Sequence, residues 1–186
     1  MKKALVLLAD GFEEIEALTL VDVLRRADVH VTMCSIHHQL EVIGAHGVKV
    51  TADSKLEEIE AVDNYDVVVA PGGMPGATNL RDDARVTDIF NIFYANPNKI
   101  VAAICAAPII LAKAGIAPQI VGTCYPGFEG EVGYKEYYKQ AVVVDRNVLT
   151  SMGPGTAFAL ALKLVEIMVG EEKAKAIFEE MLLSYS

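Results

Sequence analysis

The sequence predicts an α/β fold: a flavodoxin-like three-layer sandwich with a mainly parallel sheet and a small inserted β-hairpin. Three observations carry that expectation. β-Branched apolar runs alternate with amphipathic helical patterns, the order that builds a parallel sheet covered on both faces. The runs Val67-Val68-Val69 and Val142-Val143-Val144 are apolar without interruption, as in strands buried on both faces. Between Glu41 and Val50 the residues alternate around a glycine-bearing turn, which reads as a hairpin.

The elements follow in order. A first strand is expected from Lys3 to Ala9, a helix from Glu14 to Arg26, and a second strand from Val29 to Ile36 ahead of the hairpin. A third strand spans Asp66 to Ala70, a helix Val86 to Tyr94, and a fourth strand Ile100 to Ile104. The next helix is expected over Ala106 to Ala114, since Pro108 suits a first turn, where an N–H has no intrahelical acceptor. Strands from Ala141 to Val144 and Val148 to Ser151, then helices from Thr156 to Val169 and Glu171 to Leu183, complete the pattern. No repeat, linker or low-complexity tract divides the chain, so its 186 residues are expected to form a single domain, 1–186, around one core.

Composition narrows the function. A formal net charge of -9 with scattered basic residues speaks against nucleic acid as a partner. The longest apolar runs fall far short of the ~20 residues of a membrane-spanning helix, so no membrane segment is expected. Met1-Lys2-Lys3 leads straight into a short strand without a signal-peptide core, and a cytoplasmic location is expected. Cys34, Cys105 and Cys124 contain no CxxC pair and are odd in number, so reduced thiols are expected, with neither disulfide framework nor zinc site.

Ligands in open α/β sheets bind beyond the carboxyl ends of strands, which singles out four loops. These are Asp10-Gly11-Phe12-Glu13-Glu14-Ile15-Glu16, Pro71-Gly72-Gly73-Met74-Pro75-Gly76, Cys105 with its neighbours, and Gly153-Pro154-Gly155-Thr156. Cys105 stands where an apolar strand turns into a helix, so the helix N-terminus is expected to lower its thiol pKa. An inert core thiol is an equal reading of the residue alone. The Pro71-Gly72-Gly73 turn lets main chain approach closely, with N–H groups for the sulfur or an oxyanion, though a plain tight turn explains it as well.

The acidic first loop argues against a phosphate-bearing cofactor, which glutamates would repel. Glu13 and Glu16 share one helical face, and one of them can reach inward to hold a proton beside sulfur; Glu14 faces elsewhere and is expected in solvent. His37 and His38 are expected in a solvated turn, a poor start for a metal site. His46 reaches the cysteine pocket only if the hairpin folds over it or over a partner subunit. Tyr134, Tyr137 and Tyr138 read as helix packing, and Cys34 as core.

Taken together, Asp10-Gly11-Phe12-Glu13-Glu14-Ile15-Glu16, Pro71-Gly72-Gly73, Ala102-Ala103-Ile104-Cys105-Ala106-Ala107-Pro108 and Gly153-Pro154-Gly155-Thr156 resemble the ThiJ/PfpI superfamily. The resemblance is narrowest to its DJ-one branch, the Parkinsonism-associated deglycases, and spans almost the whole chain. It implies a homodimer with Cys105 as the reactive residue on a strained turn and Glu16 as the protonated glutamate bonded to its sulfur. It assigns the oxyanion pocket to the backbone of Gly73, beside Gly72, and of Ala106. It places Glu13 and Arg26 near the dimer contact and the first helix.

Two departures from that pattern stand out. Thr123-Cys124-Tyr125-Pro126 puts Tyr125 where relatives can carry a histidine, and His46 stands in the hairpin where relatives carry arginine. Both residues are candidate pocket walls. Alanine after the cysteine, in place of the histidine of the protease-like branch, argues against a peptidase. The implied function is a cofactor-free response to oxidative or carbonyl stress, without metal. The substrate is methylglyoxal or early glycation adducts, handled by glyoxalase or deglycase chemistry. The alternatives are a redox sensor in which peroxide takes Cys105 to sulfinate, and a chaperone-like protein without chemistry.

Overall fold

The computed structural model describes residues 1–185. In chain order the first elements are β1 (Lys3–Leu8), α1 (Glu14–Arg26), β2 (His30–Ser35), β3 (Glu41–Ile43), β4 (Lys49–Thr51) and β5 (Ser54–Lys55). Then come β6 (Val67–Ala70), α2 (Gly76–Asp82), α3 (Ala84–Ala95), β7 (Ile100–Ile104), α4 (Ile109–Lys113) and β8 (Val121–Gly122). The remainder comprises α5 (Glu129–Val132), β9 (Glu136–Tyr137), β10 (Val142–Asp145), β11 (Val148–Ser151), α6 (Ala157–Met168) and α7 (Glu171–Glu180).

Seven strands form one sheet in the order β10-β11-β7-β6-β1-β2-β5. Every neighbouring pair is parallel except β10 with β11. The central strands β1, β6 and β7 take their places because they are apolar on both faces: Ala4 to Leu8, Val67 to Ala70 and Val101 to Ile104 are wholly buried. α1, α6 and α7 pack together on one side of the sheet, and α2, α3 and α4 on the other. α6 turns Leu160, Ala161, Leu164, Val165 and Met168 inward at the i, i+3, i+4 spacing of a helix with one apolar stripe. β3 and β4 form the expected antiparallel hairpin.

The chain moves from β1 outward through β2 to β5, then returns to β6 on the opposite side of β1. Connections therefore diverge between β1 and β6, the point at whose carboxyl ends open α/β sheets take their ligands.

Four local expectations are corrected. Val142-Val143-Val144 is an edge strand rather than one buried on both faces, and Val144 is 45% exposed. The helix expected from Ala106 starts only at Ile109, after a turn through Ala106 to Pro108, and has five residues. The helix α2 was not foreseen, because a glycine and a proline open it.

The tyrosines, finally, do not pack a helix. Tyr137 lies in β9 beside β8, and the ring of Tyr134 covers Gly122, where any Cβ would overlap it. The Tyr134 hydroxyl donates to Thr123 O at 2.8 Å, which ties this segment to the strand that precedes Tyr125. Tyr134→Phe is expected to keep the packing and lose about 1 kcal/mol in urea unfolding.

Candidate functional site

β7 ends at Ile104 and delivers Cys105 to the carboxyl end of the sheet with φ +66°, in the left-handed region that costs a non-glycine residue about 1–2 kcal/mol. The backbone is clamped on both sides. Cys105 N–H donates to Ser151 O at 2.9 Å, and Tyr125 N–H donates to Cys105 O at 2.8 Å. This clamp, from the end of β11 on one side and the loop after β8 on the other, is what holds the strained turn.

Around the sulfur, the N–H groups of Gly73 and Ala106 both point inward and favour its ionised form. Glu16 approaches from the first turn of α1 and is completely buried. Its Oε2 accepts the Gly72 N–H at 2.7 Å. Oε1 has no hydrogen-bond partner among the described residues, although the thiol lies close enough to lower the carboxyl's affinity for a proton. Gly72 makes this approach possible, because a Cβ there would stand 2.6 Å from Cys105 Cβ and 2.9 Å from Glu16 Oε2.

Burial pushes Glu16 up to about 7, against the lowering influence of the thiol and the Gly72 N–H, with the charge of Glu13 adding to the rise. The Cys105 thiol is also pushed up, first by burial and then by the charge of Glu16; the two N–H groups oppose this. The expected fall in thiol pKa is thus corrected. α4 starts late and is short, so its dipole contributes little, while the nearby carboxylate contributes much. Above about pH 7 the pair holds one proton between carboxyl and sulfur, and the two sites titrate together.

Glu13 and Glu14 are both buried, so the expectation of a solvated Glu14 is also corrected. Glu14 Oε1 accepts the N–H groups of His46 at 2.7 Å and Val48 at 3.4 Å, and Oε2 meets His46 Nδ1 at 2.8 Å. Glu14 thereby fastens the β3–β4 hairpin to α1. His46 folds over Glu13 and Glu14, with no bond to Cys105, and its side chain is 72% exposed.

Tyr125 touches the cysteine through its backbone, while its ring flanks Gly153. His37 does not sit free in a solvated turn: its Nε2 accepts the Asp10 N–H at 3.0 Å, whereas His38 is exposed and pairs with Glu57. Arg26 joins Asp22 to Glu180 and so links α1 to α7. Cys34 and Cys124 are fully buried core thiols, each pushed by burial up to about 12; Cys105 at 9% exposure is the only cysteine that solvent reaches.

Three positions were given no role of their own by the sequence reading. Gly11 and Gly76 pack backbone to backbone with the Gly73 turn, and Ser151 supplies the acceptor for Cys105 N–H. The glycines flanking two strand-end loops were a readable signal; the Ser151 carbonyl, a backbone group present in every residue, was not.

Residues 2–167 match the model of the DJ-1/PfpI family. The chain is 37% identical to Protein dj-1beta of Drosophila melanogaster over 187 residues, covering 100% of this chain and 99% of that protein. It is 31% identical to the glutathione-independent glyoxalase DJ-1 of Schizosaccharomyces pombe, covering 97% of this chain and 98% of that one. The solved structure of oxidized Toxoplasma gondii DJ-1 superposes with a TM-score of 0.91 at 36% identity, over 98% of both chains. Mainly parallel sheet, inserted hairpin and coverage of both chains from end to end agree: the chain belongs to the DJ-1 branch of the DJ-1/PfpI (ThiJ/PfpI) family.

Proposed function

We propose that the chain is a cofactor-independent glyoxalase that converts methylglyoxal and water to lactate at Cys105. The observation that carries this reading is the convergence on one sulfur of a buried carboxyl and two backbone N–H groups, at a backbone angle enforced by the end of β11 and the loop that carries Tyr125. The relative named a glutathione-independent glyoxalase supports the substrate class.

Sulfur attacks the aldehyde carbon as Glu16 accepts the thiol proton, and a hemithioacetal forms whose oxygen is held by the Gly73 and Ala106 N–H groups. Glu16 returns that proton to the hemithioacetal oxygen and then, as a carboxylate, takes the proton from the former aldehyde carbon and delivers it to the neighbouring ketone carbon through an enediolate, while the hydroxyl proton passes to the other oxygen, which leaves a lactoyl thioester. Water cleaves the thioester, returning the thiol and releasing lactate. Early glycation adducts, which carry the same carbonyl-derived carbon, are the deglycase form of this substrate class.

The test is lactate formation from methylglyoxal without added glutathione, compared between wild type and Cys105→Ala. Lactate from the wild type and none from the variant is expected; equal rates overturn the reading.

A second reading rests on the oxidized state of the Toxoplasma gondii relative. Two molecules of peroxide each give one oxygen to the Cys105 sulfur and leave as water, and the resulting sulfinate is held by the same N–H groups and Glu16. Mass spectrometry after peroxide treatment should find the added oxygen on Cys105 before Cys34 or Cys124; the reverse order sinks this reading. We propose in addition that the chain is a homodimer using the outer face of α1, where Ile15 is 58% and Leu18 37% exposed. Sedimentation of wild type against Ile15→Asp tests it, and an unchanged sedimentation coefficient rejects that face.

A further inference from the structure

We propose that a cavity at the amino ends of the sheet strands, the end opposite Cys105, binds a small monocarboxylate with an apolar body. The cavity has a volume of about 570 Å³ and is lined where β1, β6, β7 and β11 begin. Small-ligand sites commonly occupy ~300–1,000 Å³. Ile100, Leu149 and Ile167 give it apolar walls. Ile100 and Ile104 are the two ends of β7, ~13 Å apart at 3.3 Å per residue, so the cavity is separate from the cysteine site. No residue of α1, the helix proposed above for the subunit contact, lines it.

Its polar groups are unlike those of the rest of the molecule. On a chain of net charge -9 the cavity gathers three cations, Lys2, Lys99 and Arg146, against one carboxylate, Asp66. Lys2 Nζ pairs with Asp66 Oδ1 at 3.1 Å. The other two cations have no carboxylate partner among the described residues. Lys99 Nζ donates to the carbonyls of Asp63 at 2.6 Å and Tyr65 at 2.5 Å, which fixes the ammonium and leaves its third N–H uncommitted. Arg146 gives one N–H to the Tyr94 hydroxyl at 2.7 Å and makes no other hydrogen bond among the described residues. Most of its planar donor fork is therefore open.

The backbone holds Arg146 there under strain. It is the first of the two residues that join β10 to β11, and its φ is +53°, a conformation that favours glycine in such a turn. Asn147, the second, locks the turn onto the end of α3: its Nδ2 lies 3.0 Å from Phe93 O and 3.1 Å from both Asn96 O and Lys99 O. A strained residue whose side chain lines a cavity marks a binding position. Glycine would ease the turn but bring no guanidinium.

The charges select the ligand. With Lys2 and Asp66 paired, the open guanidinium and the Lys99 ammonium are left for an anion, and arginine meets a carboxylate with two parallel bonds. A phosphate dianion would bring its second charge toward Asp66, and the apolar walls would offer its remaining oxygens no partner. Those walls take a hydrocarbon or aromatic body.

The experiment is titration of the full chain with 3-phenylpropionate, followed by the backbone amide resonances. Saturable shifts are expected at Ile100, Asn147 and Leu149, with Ala106 and Ala107 unmoved. Arg146→Gly stays folded, because glycine suits φ +53°, and should weaken binding about tenfold or more. Lys163→Gln removes an exposed lysine outside the cavity and should change nothing. Neutral 3-phenylpropionamide should also bind about tenfold more weakly or worse, and inorganic phosphate should not move these amides. No saturable shift with 3-phenylpropionate, equal affinity for the amide, equal affinity in Arg146→Gly, or phosphate binding as tightly overturns the proposal. None of these readouts uses lactate formation, so failure here leaves the glyoxalase reading standing.

Discussion

Gly73→Ala should destabilise the fold by about 3 kcal/mol and abolish the reactivity of Cys105 in the same step. Gly73 has φ +85°, and a Cβ on it would overlap the backbone of Gly11 and Glu13 and stand 2.6 Å from Phe12 C. The loops after β1 and β6 meet there main chain to main chain: Glu13 N–H donates to Gly72 O at 2.9 Å and Gly76 N–H to Gly11 O at 3.2 Å. No flexible side-chain end can yield, so the loops must part. Parting them withdraws the Gly73 N–H from the sulfur and Glu16 from Cys105 together.

The control is Gly115→Ala, at φ +71° with nothing within 4 Å of the added Cβ. It should cost only the backbone strain, about 1 kcal/mol. Urea unfolding measures both, and iodoacetamide labelling reads the thiol. Equal costs at the two glycines would show that the interlocked loops are not what holds the site.

The layers of the fold were legible because apolar runs such as Lys3 to Leu8 and Val67 to Ala70 state their burial locally. Cys105 was legible as a strand end, since Ile100 to Ile104 stops just short of Pro108. Failures came where a partner distant in sequence decides the outcome. Glu14 looks like a surface glutamate until Gly44 and the hairpin N–H groups close over it. Tyr134 reads as helical until Gly122 offers its ring a flat seat. Val142-Val143-Val144 carries the composition of a central strand, yet no strand follows beyond it in the sheet order.

The acid–base order at the site was the hardest to foresee. It depends on the complete burial of Glu16 and on the turn from Ala106 to Pro108 that postpones α4, neither of which has a local signature.

That order gives Glu16→Gln two opposed effects. The folded-state pKa of Glu16, about 7, lies above its ordinary 4.5. Between these values the folded chain binds more proton than the unfolded one, so stability falls as pH rises. The contribution is fully present below about 4.5 and lost as pH passes about 7, a difference of about 3 kcal/mol at most. Glutamine has no proton to lose and can still accept the Gly72 N–H. Glu16→Gln should therefore match wild type near pH 4 and exceed it in urea resistance at pH 8. Lactate formation should meanwhile drop about 10²–10⁴-fold, because the group that moves protons between sulfur and carbon is gone.

The thiol supplies the third readout. The charge of Glu16 is one cause of the raised Cys105 pKa, so the iodoacetamide labelling profile should move to lower pH in the variant. An unchanged labelling profile in a folded variant, or a variant no more stable than wild type at pH 8, would mean that Glu16 is ionised without cost in the native site and does not tune the sulfur.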